Sequence, residues 1–297
     1  MRAVLKAAVE TTLIVSGASV LARRLHAGDV AILAYHNVVD PADAGRGEAG
    51  LHLPLPAFLA QLELLRRTHE IVPLEDIGLP RARSRPRAVI TFDDGYRGAL
   101  HLAFPELRRR GIPATVFVAP ALLGAGSTWW DELGERGMLD RVTRERALEQ
   151  LAGRADRIRS ALVDGGPPVS LPHSYGIATA EEVLECCGDH IAVGSHTWAH
   201  EYLPALEDHE TEKSLRQSAE WVRNYPGKRS AWLALPYGAG SRRQARAAIQ
   251  LGYSGVLRIA PGGLWSGREP EWAQRINVPA GISTRRLDLR MSGLLRR

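Results

Sequence analysis

Two adjacent carboxylates, Asp93 and Asp94, stand directly after the apolar run Arg87–Phe92 (RAVITF). Two histidines four apart, His196 and His200, follow the short apolar run at 191–193. His36 follows Val30–Tyr35 (VAILAY), and a Pro236-Tyr237-Gly238 turn follows the run WLAL. Each of these has an ordinary explanation alone. Asp-Asp-Gly is common turn chemistry, a histidine pair can sit on a helix surface, and a lone histidine can be a satisfied interior residue. Together they read as a metal centre. Two imidazoles four apart on one helix face can grip one cation, and one carboxylate completes three ligands with positions left open. That is the pattern of a catalytic rather than a structural site. Two histidines and a carboxylate suit one divalent ion, Zn²⁺ first, with Co²⁺, Ni²⁺ or Fe²⁺ as alternatives. The second carboxylate is then free to act as a general base toward water.

Such residues need strand ends to hold them. Apolar runs at 30–35, 87–92, 114–119, 190–193, 231–235, 253–257 and 274–278 alternate with helical patterns at 56–68, 98–110, 180–187, 207–224 and 241–251. Strand–helix alternation along the chain implies a parallel sheet with helices outside. About seven units fit a β/α barrel, whose chemistry sits at the C-terminal strand ends. Residues 120–180 read as an insertion containing a long polar helix, or a pair of helices, over 142–163. No linker divides residues 28–297, which are expected to form one catalytic domain behind an N-terminal segment, 1–27.

Apolar residues make up 45% of the 297 and charged residues 24%, which excludes a disordered chain and a polytopic membrane protein. The net charge of +5 comes from 35 arginines and only three lysines against 33 acids. The arginines are scattered over helical stretches. No helix-turn-helix, zinc-finger or RNP pattern accompanies them, so they read as solvated faces rather than a nucleic-acid surface. Cys186 and Cys187 are neighbours and make no disulfide framework. At the N-terminus, Arg2 and Lys6 precede an apolar stretch that Glu10, Thr11 and Thr12 interrupt, and Arg23 and Arg24 follow it. The cleaner run, 13–22, is too short to span a bilayer. Val9, Leu13, Val20 and Leu21 are expected to form the packed side of a surface helix, with an interfacial membrane anchor and a cleaved signal as alternatives. Localisation is accordingly read as cytoplasmic or membrane-associated, with export left open.

The segments Thr91–Tyr96 (TFDDGY), Ser195–His200 (SHTWAH) and Leu235–Gly238 (LPYG), in this order, resemble the NodB-homology polysaccharide deacetylases, carbohydrate esterase family four. The AYHNV segment around His36 resembles a branch in which an N-terminal histidine replaces the usual C-terminal one. The resemblance implies a distorted (β/α)7-type barrel. It makes Asp93 the general base and Asp94, His196 and His200 the metal ligands. It also makes His36 the acid for the leaving amine and the Tyr237 N–H the donor to the oxyanion. Two departures stand out. Many members carry an arginine where this chain has Ala234, and Arg275 in RINVP is the candidate substitute. The usual Leu-x-Leu-His near the C-terminus is missing, so the acid role falls to His36.

Trp129 and Trp130, beyond the strand at 114–119, are candidates for stacking on a sugar ring, since indoles pair well with the apolar faces of pyranoses. With Pro236 and Tyr237 they complete the expected substrate-binding set. The expected partner is an N-acetylated glycan, with no nucleic acid and with peripheral membrane contact through the N-terminal segment. The expected activity is removal of N-acetyl groups from an amino sugar of a cell-surface polysaccharide or its lipid-linked precursor. An O-acetyl esterase or small-amide hydrolase, or a glycan-binding barrel without turnover, are the alternatives.

Overall fold

Seven parallel strands close on themselves in chain order. The computed structural model describes residues 2–79, 85–163, 169–260 and 263–295, with side chains from residue 8 onward. The strands are β1 (Val30–Tyr35), β2 (Arg87–Phe92), β3 (Ala114–Val118), β4 (Ile191–Ser195), β5 (Arg229–Ala234), β6 (Gly255–Ile259) and β7 (Ala273–Asn277). Each pairs with the next, and β1 pairs with both β2 and β7, which shuts the barrel. The β1–β2 register runs from Val30 opposite Arg87 to Tyr35 opposite Phe92, so His36 and Asp93 leave neighbouring strands at the same level.

The strands are apolar on both faces because both are covered, as parallel sheets require. Val30, Ile32, Val89, Phe117, Trp232, Ala234, Leu257 and Ala273 share the interior cluster. The alternate residues Ala31, Leu33, Tyr35, Ala88, Ile90 and Phe92 pack outward against helices such as Leu55–Thr68. Interior space is tight. A Cβ on Gly255 would lie 2.2 Å from the Trp232 ring, so this strand position takes only glycine.

The expected distorted (β/α)7 barrel is therefore the fold, with strand bounds moved by at most two residues. In the insertion, of the two alternatives over 142–163 the pair of helices forms, divided by a turn in which Ala152 and Gly153 adopt φ of 55° and 69°. The N-terminal segment forms two helices, α1 (Arg2–Val15) and α2 (Ala18–Leu25), which pack against the helix Thr284–Met291. The packed stripe expected of Val9, Leu13, Val20 and Leu21 does not form: Val9, Val20 and Leu21 are 51%, 45% and 60% exposed. The contacts are polar instead, Glu10 with Arg286 and Arg23 with Asp288. Among the described residues no helix is long and apolar enough to cross a membrane.

Candidate active site

A cleft of about 450 Å³ opens at the C-terminal ends of the strands and brings together His36, Asp93, Asp94, His196, His200 and Tyr237. Strand periodicity explains the first of these positions. Val89 faces the interior and Thr91 and Asp93 share its parity along β2, so Asp93 continues the inward row. Asp94 would then point away, but its φ of 72° breaks the alternation and Gly95 follows at 77°. Both carboxylates thereby reach the cleft.

Arg275 continues the inward row of β7 from Ala273 and is fully buried. Its guanidinium donates to both oxygens of Asp93, at 2.7 Å each, and to Thr91 Oγ1 at 3.2 Å. Such a fork fixes a carboxylate in orientation as well as charge. Burial works against the Asp93 charge, but Arg275 and the nearby His196 outweigh it and hold the carboxyl below its usual range. His36 Nε2 lies 3.9 Å from Asp93 Oδ2 on the other side. Burial pushes His36 below the ordinary histidine value, against the upward pull of Asp94 and Asp93.

The two histidines are not on a helix. Residues 196–200 form a turn in which Thr197 and His200 have φ of 62° and 57°. The i,i+4 spacing works here because the turn folds back and sets the imidazoles edge to face, 4.8 Å between centroids. Strain of this kind needs outside support. Buried Glu201 provides it, with one carboxylate oxygen accepting from Thr197 Oγ1 at 2.9 Å, the Ala199 N–H at 3.1 Å and Ser214 Oγ at 2.9 Å. Of the six non-glycine residues with positive φ among those described, Asp94, His200 and Tyr237 line this cleft, and Thr197 lies in the turn between its two histidines.

The donor set fits a divalent cation. Asp94 Oδ1, His196 Nε2 and His200 Nε2 converge, with Oδ1 at 3.5 Å and 3.1 Å from the two nitrogens. Ligands at about 2.1 Å from a tetrahedral ion lie ~3.4 Å apart. His196 Nδ1 donates to the Ala234 carbonyl at 2.8 Å, which leaves the Nε2 lone pair facing Asp94. Asp94 Oδ1 is buried and accepts no hydrogen bond among the described residues. Burial opposes the Asp94 charge, but His200 and His196 hold its carboxyl well below the usual range. His196, which burial alone would lower, is raised by Asp93 and Asp94.

The tryptophans part company. Trp130 lines the cleft, its ring 4.7 Å from that of His200, with Nε1 donating to Tyr96 Oη at 2.7 Å. Trp129 is 1% exposed, packs with Leu133, Ala147 and Ile158, and does not line the cleft, so the sugar stacking expected of it has no surface to act through. Pro236 is likewise buried under the turn it starts, while Tyr237 and Gly238 reach the cleft wall.

One part of the site went unread in the sequence. Asp131, fully buried, accepts from Tyr96 Oη at 2.7 Å, Thr128 Oγ1 at 2.8 Å and the Glu48 N–H at 2.9 Å, and it faces His52 Nε2 at 2.8 Å. His52 in turn meets Asn37 at 3.0 Å. This network ties the loop after β1 to the insertion and sets the Tyr96 phenol under Trp130. Its only signal in the chain is Asp131 beside the Trp pair. Tyr96 lies inside the DDGY segment without a polar role being apparent.

Comparison with known proteins agrees with the fold. Over 89% of this chain, BC0361, a polysaccharide deacetylase from Bacillus cereus, superposes with a TM-score of 0.61 at 18% identity and 69% of its own length. The Streptococcus pyogenes deacetylase PplD in complex with acetate gives 0.60 at 15% identity, covering 89% of this chain and 98% of that one. IcaB from Ammonifex degensii gives 0.60 at 18%, with 89% and 97% covered. No curated protein matches the chain in sequence. The family model for polysaccharide deacetylase matches residues 81–256. That span is more than half of the 297 residues and holds Asp93, Asp94, His196, His200 and Tyr237, so the chain belongs to the polysaccharide deacetylase family.

Proposed function

We propose that this chain is a metal-dependent hydrolase that removes N-acetyl groups from an amino sugar of a cell-surface polysaccharide or of its lipid-linked precursor. The observation that carries the reading is Asp93, clamped by Arg275, beside the Asp94, His196 and His200 cluster in one cleft. A divalent ion held by those three residues would supply Lewis-acid chemistry toward water and the acyl carbonyl. The remaining work belongs to the chain. Asp93, kept ionised and oriented by Arg275, takes a proton from the attacking water. The backbone N–H of Tyr237, in a turn with φ of 58°, faces the oxyanion that forms as the water oxygen bonds to the carbonyl carbon. His36, resupplied with the proton that Asp93 takes from the water, gives a proton to the nitrogen as the C–N bond breaks, and acetate and a free amine leave. The Tyr35-His36 pair supports placement in the branch with an N-terminal acid.

The test is acetate release from N-acetylglucosamine oligomers, with the matching appearance of free amines, after reconstitution with Zn²⁺ or Co²⁺. About one ion per chain is expected in the wild type, and none in His200→Ala. Acetate from O-acetylated but not N-acetylated sugars would point to the esterase. No bound metal in either protein would point to a binding barrel.

A further inference from the structure

We propose that the outer face of the N-terminal helix pair docks on the surface of an anionic lipid bilayer. The pair is inverted with respect to water. Its inward contacts are mainly polar: Glu10 is 8% exposed and bonded to Arg286 at 2.7 Å, Ser19 is buried, and Arg23 pairs with Asp288, with Ala22 the one buried apolar side chain among those described. Its large outward residues are apolar, Val9, Val15, Val20, Leu21 and Leu25, with Val15 80% and Leu25 77% exposed, and they stand among the exposed Thr11, Thr12, Ser16 and Arg24. A surface helix in water buries its apolar stripe and solvates its polar one, so this arrangement calls for an apolar medium outside. The exposure is also concentrated. Five of the eleven exposed large apolar residues among those described fall in these two helices.

Charge selects the occupant. The first 25 residues carry Arg2, Lys6, Arg23 and Arg24 against one acid, Glu10, a net of +3. Glu10 and Arg23 are both turned inward and paired, with Arg286 and Asp288, so the charge left to face an anionic surface is that of Arg2, Lys6 and Arg24. A second copy of the chain would present the same positive charge and repel. Apolar side chains on a cationic helix pair, with no membrane-spanning helix described, match a bilayer bearing acidic headgroups. The inference stands independently of the deacetylase reading, although a membrane-borne glycan would be brought near the cleft by it.

The experiment is co-sedimentation of the full chain with phosphatidylcholine vesicles, with and without phosphatidylglycerol. The expected result is binding to the anionic vesicles only, weakened by salt and reduced about tenfold or more in Val15→Asp/Leu21→Asp. A control, Val142→Asp/Leu184→Asp, changes residues exposed elsewhere and should bind as the wild type does. Acetate release from soluble oligomers, read in parallel, separates loss of docking from loss of fold or activity. Equal binding to neutral vesicles, no binding, or binding untouched by the double substitution would overturn the proposal. So would a dimer in solution that Val15→Asp/Leu21→Asp dissolves.

Discussion

Arg275 and Asp93 meet through two parallel 2.7 Å hydrogen bonds inside the barrel, although 182 residues separate them in the chain. In the proposed mechanism Arg275 takes the role left open by Ala234, whose carbonyl accepts from His196. The guanidinium and carboxylate are both buried, so neither is replaceable by solvent. Arg275→Gln should lower turnover by about 10- to 100-fold while metal content stays that of the wild type. It should also lower stability, since Asp93 loses its partner in a dry site. Arg275→Lys keeps the charge but not the fork and should fall between. Wild-type turnover in Arg275→Gln would remove it from the mechanism.

In the proposed mechanism His36 acts on the leaving group rather than on the water, because Asp93 takes the base role. His36→Ala should reduce amide turnover by about 10²–10⁴-fold without loss of metal. An activated aryl acetate, whose leaving group needs no proton, should be far less sensitive. The comparison of the two substrates is the decisive measurement. Full amide activity at every pH would refute the assignment.

Trp130 and Trp129 should respond differently. Trp130 borders the cleft beside His200, and Trp130→Ala is expected to raise KM more than it lowers kcat. Trp129→Ala should instead cost about 3–5 kcal/mol of stability, because it empties a packed core site. Kinetics and thermal melts on the two variants distinguish these outcomes. Equal KM changes in both would mean that the distinction fails.

Acid should weaken the fold through His69. Burial first, then Arg23 and Arg85, lower its pKa from 6.5 to about 3, while Thr68 Oγ1 sits 2.8 Å from Nδ1. The native ring stays neutral where the unfolded ring charges. The unfolded state therefore binds more protons between the two values, and stability falls as pH drops from 6.5 toward 3. About 2 kcal/mol should be lost between about pH 7 and pH 5 through this group. Urea titrations of His69→Gln should show that much less pH dependence than the wild type. An identical pH slope would mean that the ring is not held neutral.

Local residue patterns were enough for the barrel and the ligand types. Runs such as VAILAY and RAVITF are apolar without alternation, which only doubly covered strands tolerate, and their order named the strand ends that carry His36, Asp93 and the histidine turn. The chain alone did not decide how those ends are finished. A four-residue histidine spacing reads as a helix until Thr197 and His200 are seen in left-handed conformations, a strain held by Glu201 and Ser214. The burial of Trp129 and the Asp131–His52 contact depend on an insertion folding over a loop 79 residues away. The exposed stripe of α1 and α2 followed from which helix face found ion-pair partners on Thr284–Met291, and no periodicity contains that choice. The Arg275–Asp93 clamp exists only because β1 closes the ring between β7 and β2, and the inward direction of position 275 is set by that closure.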